Sequence, residues 1–477
     1  MAFHPGFERA FNPSAVAVVG ASDSDLGALP NGGFIRNFQR LGFEGRLYPV
    51  NPRQKEILGL SAYPNLVSVP EPLDLVIICT PAREVPAVLE DCIAAEAKNV
   101  HIFSAGFRES GEEEGRKLEE KVREIALRGE LRVVGPNCMG INVPRARMQT
   151  IHSFPIKRGD VAFLSQSGGH AIQFSGYAPR FGIGFSKIIS YGNGCIMDSP
   201  DLLEYLAADP ETRVITMYIE GIRDGSKLIK NVSEINRTKP VIIWKGGMSE
   251  LGSRAAVSHT GSLAGSLEVW DSFFKQTGAA RVNSLDELTD LTMTFLYLTP
   301  PPGRRIGLLL GGGGRGVAVA DFCAAEGLQA PVLTPETRNQ LSSFIPHVGN
   351  SVRNPIDAYM MLQDPDLFER VLDIVASDPL IDIILADLDL NTLVELNPTI
   401  IGEMEKVMLR FANQYSGEKS LVAILGTGGG KSGIGSERSR LQKEFSRAGI
   451  GVYRTLPRAC RALSKFLAYH EFQQNLK

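Results

Sequence analysis

The chain has 477 residues, which predicts about three domains at the usual size of roughly 100–200 residues each. Hydrophobic residues make up 43% and charged residues 22%, a balance that suits a folded globular enzyme and excludes a disordered chain. The formal charge of -3 offers no basic field to nucleic acid or a membrane surface, Met1–Asn12 lacks the apolar stretch of a signal peptide, and no apolar run reaches about 18 residues.

Short apolar runs alternate with longer helical patterns, the sign of βαβ units and mostly parallel sheets. The first set of strands is predicted at Val16–Gly20, Leu47–Val50, Leu73–Thr80, Val100–Ser104 and Leu131–Val134, with helices at Val85–Ala97 and Glu112–Leu127. A soft boundary follows at Val143-Pro144-Arg145. The second set is predicted at Val161–Leu164, Phe185–Ser190, Arg213–Ile219 and Pro240–Trp244. Thr299-Pro300-Pro301-Pro302-Gly303-Arg304-Arg305 then reads as a stiff linker, because its prolines cannot continue a helix. The third set is predicted at Ile306–Leu310, Ile381–Ala386, Leu421–Leu425 and Gly451–Tyr453, with a turn at Arg353–Asp357. The expected domains are 1–145, 146–300 and 301–477, each a doubly wound α/β parallel sheet. Each opens with a strand running into a small-residue turn: Gly20-Ala21-Ser22, Ser165–Gly169 and Gly311–Gly316.

The six cysteines form no CxxC pair, and their spacing suits neither zinc nor a disulfide framework. Buried thiols in a cytoplasmic chain are expected.

Val16–Gly20 leading into Ala21-Ser22 is a strand that meets a helix N-terminus, where backbone N–H groups and the helix dipole favour a phosphate. It is either such a site or an ordinary first turn. The second strand ends in Asn51-Pro52-Arg53, without the acidic residue that a dinucleotide site places there for a ribose. Arg53 suits a phosphorylated ribose, so a nicotinamide dehydrogenase is disfavoured. The other strand ends of this unit, Thr80-Pro81, Ser104-Ala105-Gly106-Phe107 and Gly135-Pro136-Asn137-Cys138, are small and polar. Together they point to a nucleotide-like ligand outside the carboxyl ends of the strands. Ser165, Ser167 and Gly168 follow a second-unit strand, as an anion cradle or as a plain N-cap. Gly426–Ser432 superficially suggests a phosphate loop, but Gly426 stands one residue too close to Gly430.

The longest polar, Gly-rich segment surrounds His259, in Ser258-His259-Thr260-Gly261-Ser262-Leu263-Ala264-Gly265. A loop histidine is commonly solvated or structural, yet histidine is also a competent covalent nucleophile. Glu220, at a strand end of the same unit, is the candidate carboxylate to fix its tautomer.

Taken with Val18–Ser22, Tyr48–Pro52 and Gly135–Gly140, these motifs resemble, in order and across essentially the whole chain, the alpha subunit of ADP-forming acyl-CoA synthetases in the succinyl-CoA synthetase superfamily. The resemblance implies a Rossmann-like CoA-binding domain followed by two flavodoxin-like domains. CoA would be held by Gly20, Ala21, Ser22, Asn51, Arg53, Thr80, Pro81, Ser104, Gly106, Phe107, Asn137 and Cys138. It implies phosphate at Ser165, Ser167 and Gly168, and phosphohistidine at His259 supported by Glu220, with no metal on this chain. The implied reaction interconverts acyl-CoA, phosphate and ADP with carboxylic acid, CoA and ATP, through an acyl phosphate. No ATP-grasp segment is visible, so Mg-ATP or Mg-ADP is expected on a separate beta subunit of a hetero-oligomer. Two features depart from the family pattern: the Tyr191–Asp198 run near the acyl site, and Asp387 with Asp389, which would repel a phosphate in the third domain. The rival readings are a non-catalytic CoA-binding regulatory protein, and a protein acetyltransferase array, for which no further domain follows.

Overall fold

The computed structural model describes residues 5–22, 33–252, 266–311, 313–396, 399–426 and 434–476. They divide into two compact units, one of Met1–Pro179 with Ile183–Asn283, the other of Arg180–Gly182 with Ser284–Lys477.

The first unit holds two sheets. In the first sheet lie β1 (Ala15–Val19), β2 (Arg46–Val50), β5 (Leu75–Ile78), β6 (Asn99–Ile102) and β7 (Arg132–Val134), with β3 (Glu56–Ile57) and β4 (Leu60–Ser61) forming a separate hairpin. The order is β2-β1-β5-β6-β7 and every pairing is parallel. Helices cover both faces, so β1, β5 and β6 are buried along their whole length. That is why they read as continuous Val and Ile runs rather than as alternation. The covering helix Glu113–Arg128 turns Gly115, Glu119, Val122 and Ala126 inward at helical spacing.

The second sheet contains β8 (Gly140–Asn142), β9 (Arg158–Ser165), β10 (Phe185–Ser190), β11 (Val214–Ile219), β12 (Val241–Lys245) and β13 (Ala280–Val282), in the order β13-β12-β11-β9-β10-β8. Only β8 runs antiparallel, against β10. The sheet therefore begins at Gly140, just ahead of the expected 145/146 boundary.

One stretch of chain joins the two sheets. After β10, the N–H groups of Asn193, Cys195 and Met197 donate to the carbonyls of Pro136, Gly135 and Val133 at 3.0, 3.1 and 3.1 Å. The loop leaving the second sheet is thus bonded along the exit of β7 in the first. Apolar packing reinforces the junction, with Phe11 stacked on Tyr205 at 3.9 Å between ring centroids.

The second unit holds the third sheet: β14 (Ile306–Leu310), β15 (Ser351–Val352), β16 (Ile356–Asp357), β17 (Ile383–Asp387), β18 (Ser420–Ile424) and β19 (Gly451–Tyr453), in the order β15-β16-β14-β17-β18-β19. It is parallel except for β15 against β16. The predicted turn Arg353–Asp357 is corrected here, since Ile356–Asp357 is a strand beside β14. Asn354 explains how so short a strand keeps its place. Its side chain accepts from Leu308 N at 3.0 Å and donates to Ile306 O at 2.9 Å, completing the edge of β14 beyond the strand. The helix Leu285–Tyr297 also belongs to this unit. It packs on the helix Leu456–Asn475 through Phe295 against Phe466 and a two-pronged Arg458–Asp290 pair at 2.6 and 2.7 Å. The compact division consequently falls at Asn283/Ser284, ahead of the expected 300/301 boundary.

Gly192 has φ of +56°, and a Cβ there would lie 2.2 Å from Asn137 O. Backbone cannot move aside cheaply, so Gly192→Ala is expected to cost roughly 2–4 kcal/mol. Gly176 lies within the helix Gly168–Tyr177, and a Cβ there meets nothing within 4 Å, so Gly176→Ala is expected to stabilise by about 0.5–1 kcal/mol. Denaturant unfolding of both variants checks the contrast; equal effects would refute the close approach at Gly192.

Candidate active site

Because the junction loop holds the two sheets exit to exit, a cavity of about 560 Å³ opens at the carboxyl ends of β5, β6, β7, β9 and β10. The first sheet contributes Cys79–Ala82, Phe103–Ala105 and Asn137–Met139. The second contributes Gln166–Gly169, Gly192 and Asn193. Strand exits beside a change of winding direction are where open α/β sheets bind ligands. Among the described residues no Arg, Lys, Asp or Glu lines the cavity. An anion inside it would rely on hydroxyls, amides, backbone N–H groups and a helix end.

That helix end is the start of Gly168–Tyr177. Ser167 caps it, its Oγ accepting from His170 N at 3.4 Å. Gly168 and Gly169 occupy the first turn, where N–H groups have no intrahelical acceptor, and both line the cavity. Ser165 Oγ donates to Ser167 O at 2.7 Å and is fully buried, so it shapes the turn from behind. Gln166 ties the turn to the next strand exit, its Oε1 accepting from Glu220 N at 2.7 Å and Gly221 N at 2.9 Å.

On the first sheet, Ser104 Oγ donates to Thr80 O at 2.5 Å, and Asn137 N donates to Ser104 O at 2.9 Å. These bonds lock the three exit turns to one another. Thr80 Oγ1 is buried without a partner among the described residues, in the cavity wall. Burial pushes the Cys79 thiol up to about 12 and the Cys138 thiol further still. Both stay protonated at neutral pH and line the cavity as soft apolar surface rather than as nucleophiles.

Most of the expected ligand residues fall into two groups, with Gly106, Phe107 and the buried Ser165 outside both. Thr80, Pro81, Ser104, Asn137, Cys138, Ser167 and Gly168 come together around the cavity. Gly20, Ala21, Ser22, Asn51 and Arg53 form a neighbouring cluster at the exits of β1 and β2. There Asn51 Nδ2 donates to Ala21 O at 2.9 Å and Asn51 Oδ1 accepts from Arg53 N at 2.8 Å. The two groups adjoin through Gly20, where a Cβ would lie 3.0 Å from Thr80 Cγ2. Gly106 and Phe107 lie apart from the cavity lining. Their N–H groups are both taken by Glu109 Oε1, at 2.7 and 3.1 Å, and the Phe107 ring is buried in the core of the first sheet. Sequence reasoning missed Cys79, Phe103, Met139 and Asn193 as cavity residues. Each sits beside a small-residue strand exit, which is the signal that could have found them.

His259 lies outside the described residues. Glu220 is buried at the exit of β11. Beside it Lys245 Nζ donates to Glu220 O at 2.8 Å and to Gly246 O, and stands 5.2 Å from the Trp270 ring centroid. His170 is stacked on Tyr218 at 3.8 Å, and His152 meets Arg40 at 3.0 Å. Burial lowers the Lys245 ammonium from 10.5 to about 8.

Two family models match the chain: a CoA binding domain over residues 14–144, and a succinyl-CoA ligase like flavodoxin domain over 158–295. The chain is 34% identical over 478 residues to the alpha subunit of ADP-forming acetate–CoA ligase I of Pyrococcus furiosus, covering 98% of this chain and 99% of that one. The chain belongs to the ADP-forming acyl-CoA synthetases. It is an enzyme chain of the acid–CoA ligase class, whose reaction is coupled to ADP and phosphate. It is also 37% identical over 460 residues to ADP-forming acetate–CoA ligase I of Archaeoglobus fulgidus, of which it spans 63%. Among solved structures, the dinucleotide forming acetyl-coenzyme A synthetase 1 of Ca. Korarchaeum cryptofilum, in complex with phosphate and ADP, superposes with a TM-score of 0.83. The two are 33% identical, over 98% of this chain and 97% of that one. The Rossmann-like sheet followed by flavodoxin-like sheets is the fold of this synthetase family. Among the described residues no helix is long and apolar enough to cross a membrane.

The lowered value of Lys245 has a consequence for stability. Between about 8 and 10.5 the unfolded chain binds more protons at this residue than the folded one. Its contribution to stability therefore rises with pH across that window and is least favourable below it. Urea unfolding of wild type and Lys245→Met at about pH 7 and about pH 10 is expected to show the wild type gaining on the variant at the higher pH. A wild type that gains nothing on the variant, or loses ground to it, at the higher pH would contradict the burial of this ammonium.

Proposed function

We propose that this chain is the nucleotide-independent alpha subunit of an ADP-forming acyl-CoA synthetase, acting in the cytoplasm with a separate ATP-grasp beta subunit that holds Mg-ATP or Mg-ADP. The observation that carries the reading is the cavity in which a CoA-binding sheet and a ligase-type sheet meet exit to exit, with the capped N-terminus of Gly168–Tyr177 in its wall.

In this reading CoA lies across the first sheet. Its phosphates sit by Gly20–Ser22, Asn51 and Arg53, and its acyl thioester lies in the cavity by Thr80, Ser104, Asn137 and Cys138. Phosphate sits at Ser167 and Gly168, where first-turn N–H groups and the helix dipole favour an anion. A phosphate oxygen attacks the thioester carbonyl. The C–S bond breaks, CoA leaves as the thiol, and an acyl phosphate remains. A neutral nitrogen of His259 then attacks phosphorus, the bond to the acyl oxygen breaks, and the carboxylic acid leaves as carboxylate. The phosphoryl group passes from His259 to ADP on the beta subunit. Glu220 accepts a hydrogen bond from the other ring nitrogen and stabilises the cationic ring, as carboxylates do for catalytic histidines elsewhere.

The neutral lining suits a small acid with one carboxylate. A second carboxylate in the cavity would find no counter-charge among the described lining residues and would cost several kcal/mol there.

The test uses the chain co-purified with an ATP-grasp subunit, a panel of small acids and radiolabelled phosphate. His259→Ala is expected to abolish turnover and the base-stable, acid-labile label while CoA affinity stays intact. Glu220→Gln is expected to slow labelling by roughly 10²–10⁴-fold. A label that maps to His152 or His170, or normal turnover in His259→Ala, contradicts the proposal.

A further inference from the structure

Asn193 stands where the loop leaving β10 meets the first sheet, and it lines the cavity. Its Nδ2 donates to Glu109 Oε2 at 2.6 Å and to Glu119 Oε2 at 2.7 Å. Its Oδ1 accepts from Asn137 Nδ2 at 3.4 Å, and its backbone N–H donates to Pro136 O. A primary amide has two hydrogens. Here each goes to a different carboxylate, so the site specifies an amide. Aspartate would present a third carboxylate, and alanine would leave a buried carboxylate under-bonded.

Each carboxylate reaches further into the first sheet. The other oxygen of Glu109 holds the N–H groups of Gly106 and Phe107, at the exit of β6. Glu119 is buried on the inner face of Glu113–Arg128, and burial raises its carboxyl above the ordinary range. Three arginines stand on the acids or on the junction loop. Arg108 lies near Glu119 and favours its charged form. Arg123 donates to Cys195 O at 3.4 Å, and Arg223 to Gly194 O at 2.7 Å. Of these, Arg108 offsets the charge of Glu119, while the guanidinium donors of Arg123 and Arg223 go to carbonyls of the junction loop. The amide of Asn193 is the side-chain bond that runs from the loop itself to both acids.

We propose that Asn193 is a positioning residue, an amide latch that ties the exit loop of the second sheet to two acids of the first and thereby sets the spacing of the cavity walls. The inference rests on the reading of that cavity as the acyl-CoA site. Asn193 acts through the Pro136–Asn137 and Gly106–Phe107 turns, and takes no part in bond making.

The test compares the wild-type complex, Asn193→Asp and Asn193→Asp/Glu119→Gln by two readouts. One is amide hydrogen exchange at positions 193, 195 and 197, which reports the latch directly. The other is CoA affinity by calorimetry. Three carboxylates within bonding distance are tolerated only when one is protonated, so the single variant should worsen as pH rises. Its exchange, corrected for intrinsic rates, is expected to exceed wild type by roughly tenfold more at pH 8 than at pH 6. Its CoA affinity at pH 8 should fall by roughly 10–100-fold, with the double variant recovering part of the loss on both readouts, because Gln at 119 can donate to Asp at 193 while Glu109 still faces it. A merely structural loss would lower stability without this pH dependence or this rescue. Exchange and affinity that match wild type at both pH values, or a double variant no better than the single, overturn the latch. A wild-type complex that binds no CoA overturns the acyl-CoA reading instead, and the exchange data still decide the latch.

Discussion

Three backbone N–H groups, of Asn193, Cys195 and Met197, are bonded to three carbonyls that lie along and just beyond β7. Those bonds, with a hydrophobic core that runs through both, hold the first two sheets together. The cavity is lined by the strand exits of both sheets. The close approach also dictates local sequence. Gly192 lies against the carbonyls of Pro136 and Asn137 with no room for a side chain. Asp198, ending the same loop, caps the helix Ser199–Ala208 and accepts from Arg223 N at 3.1 Å. The run Tyr191–Asp198 is therefore a segment on which the cavity depends.

The cavity combines neutral walls with charge held just behind them. Its lining carries thiols, amides, hydroxyls and apolar carbons, and no ionised side chain among the described residues. Glu109, Glu119 and Glu220 are each bonded to a lining residue, and Lys245 is bonded in turn to Glu220. Such a wall does not compete with a thioester and a phosphate for their own partners. In the proposed reading an anion is held there through the dipole of a helix and first-turn N–H groups, which need no reorganisation during reaction. The pattern also accounts for the buried cysteines. A thiolate beside a thioester would be a competing nucleophile, and burial keeps Cys79 and Cys138 protonated.

Much of this was legible in the sequence because parallel strands buried on both faces read as unbroken apolar runs. The strands Phe185–Ser190, Ile306–Leu310 and Gly451–Tyr453 were predicted to the residue, and seven of the sixteen residues lining the cavity are expected ligand residues at the small-residue strand exits singled out in the sequence. Short elements were not legible. Gly140–Asn142 and Ile356–Asp357 have too few residues for any period and exist through partners distant in sequence. The role of Asn193 was hidden for the same reason. Its two carboxylates lie 84 and 74 residues away, and no local pattern announces a bond of that reach. The expected contacts of Gly106 and Phe107 illustrate the converse. Their position at a strand exit was read correctly, but Glu109, two to three residues on, takes their N–H groups.

The central claim is that one ligand spans the exits of both sheets. Hydrogen exchange of the whole chain with and without CoA tests it most directly. The account predicts protection at the first-sheet turns around Gly20, Thr80, Ser104 and Asn137, extending across the junction to residues 166–169 of the second sheet. Protection confined to the first sheet, or appearing at the strand exits of the third, would contradict it.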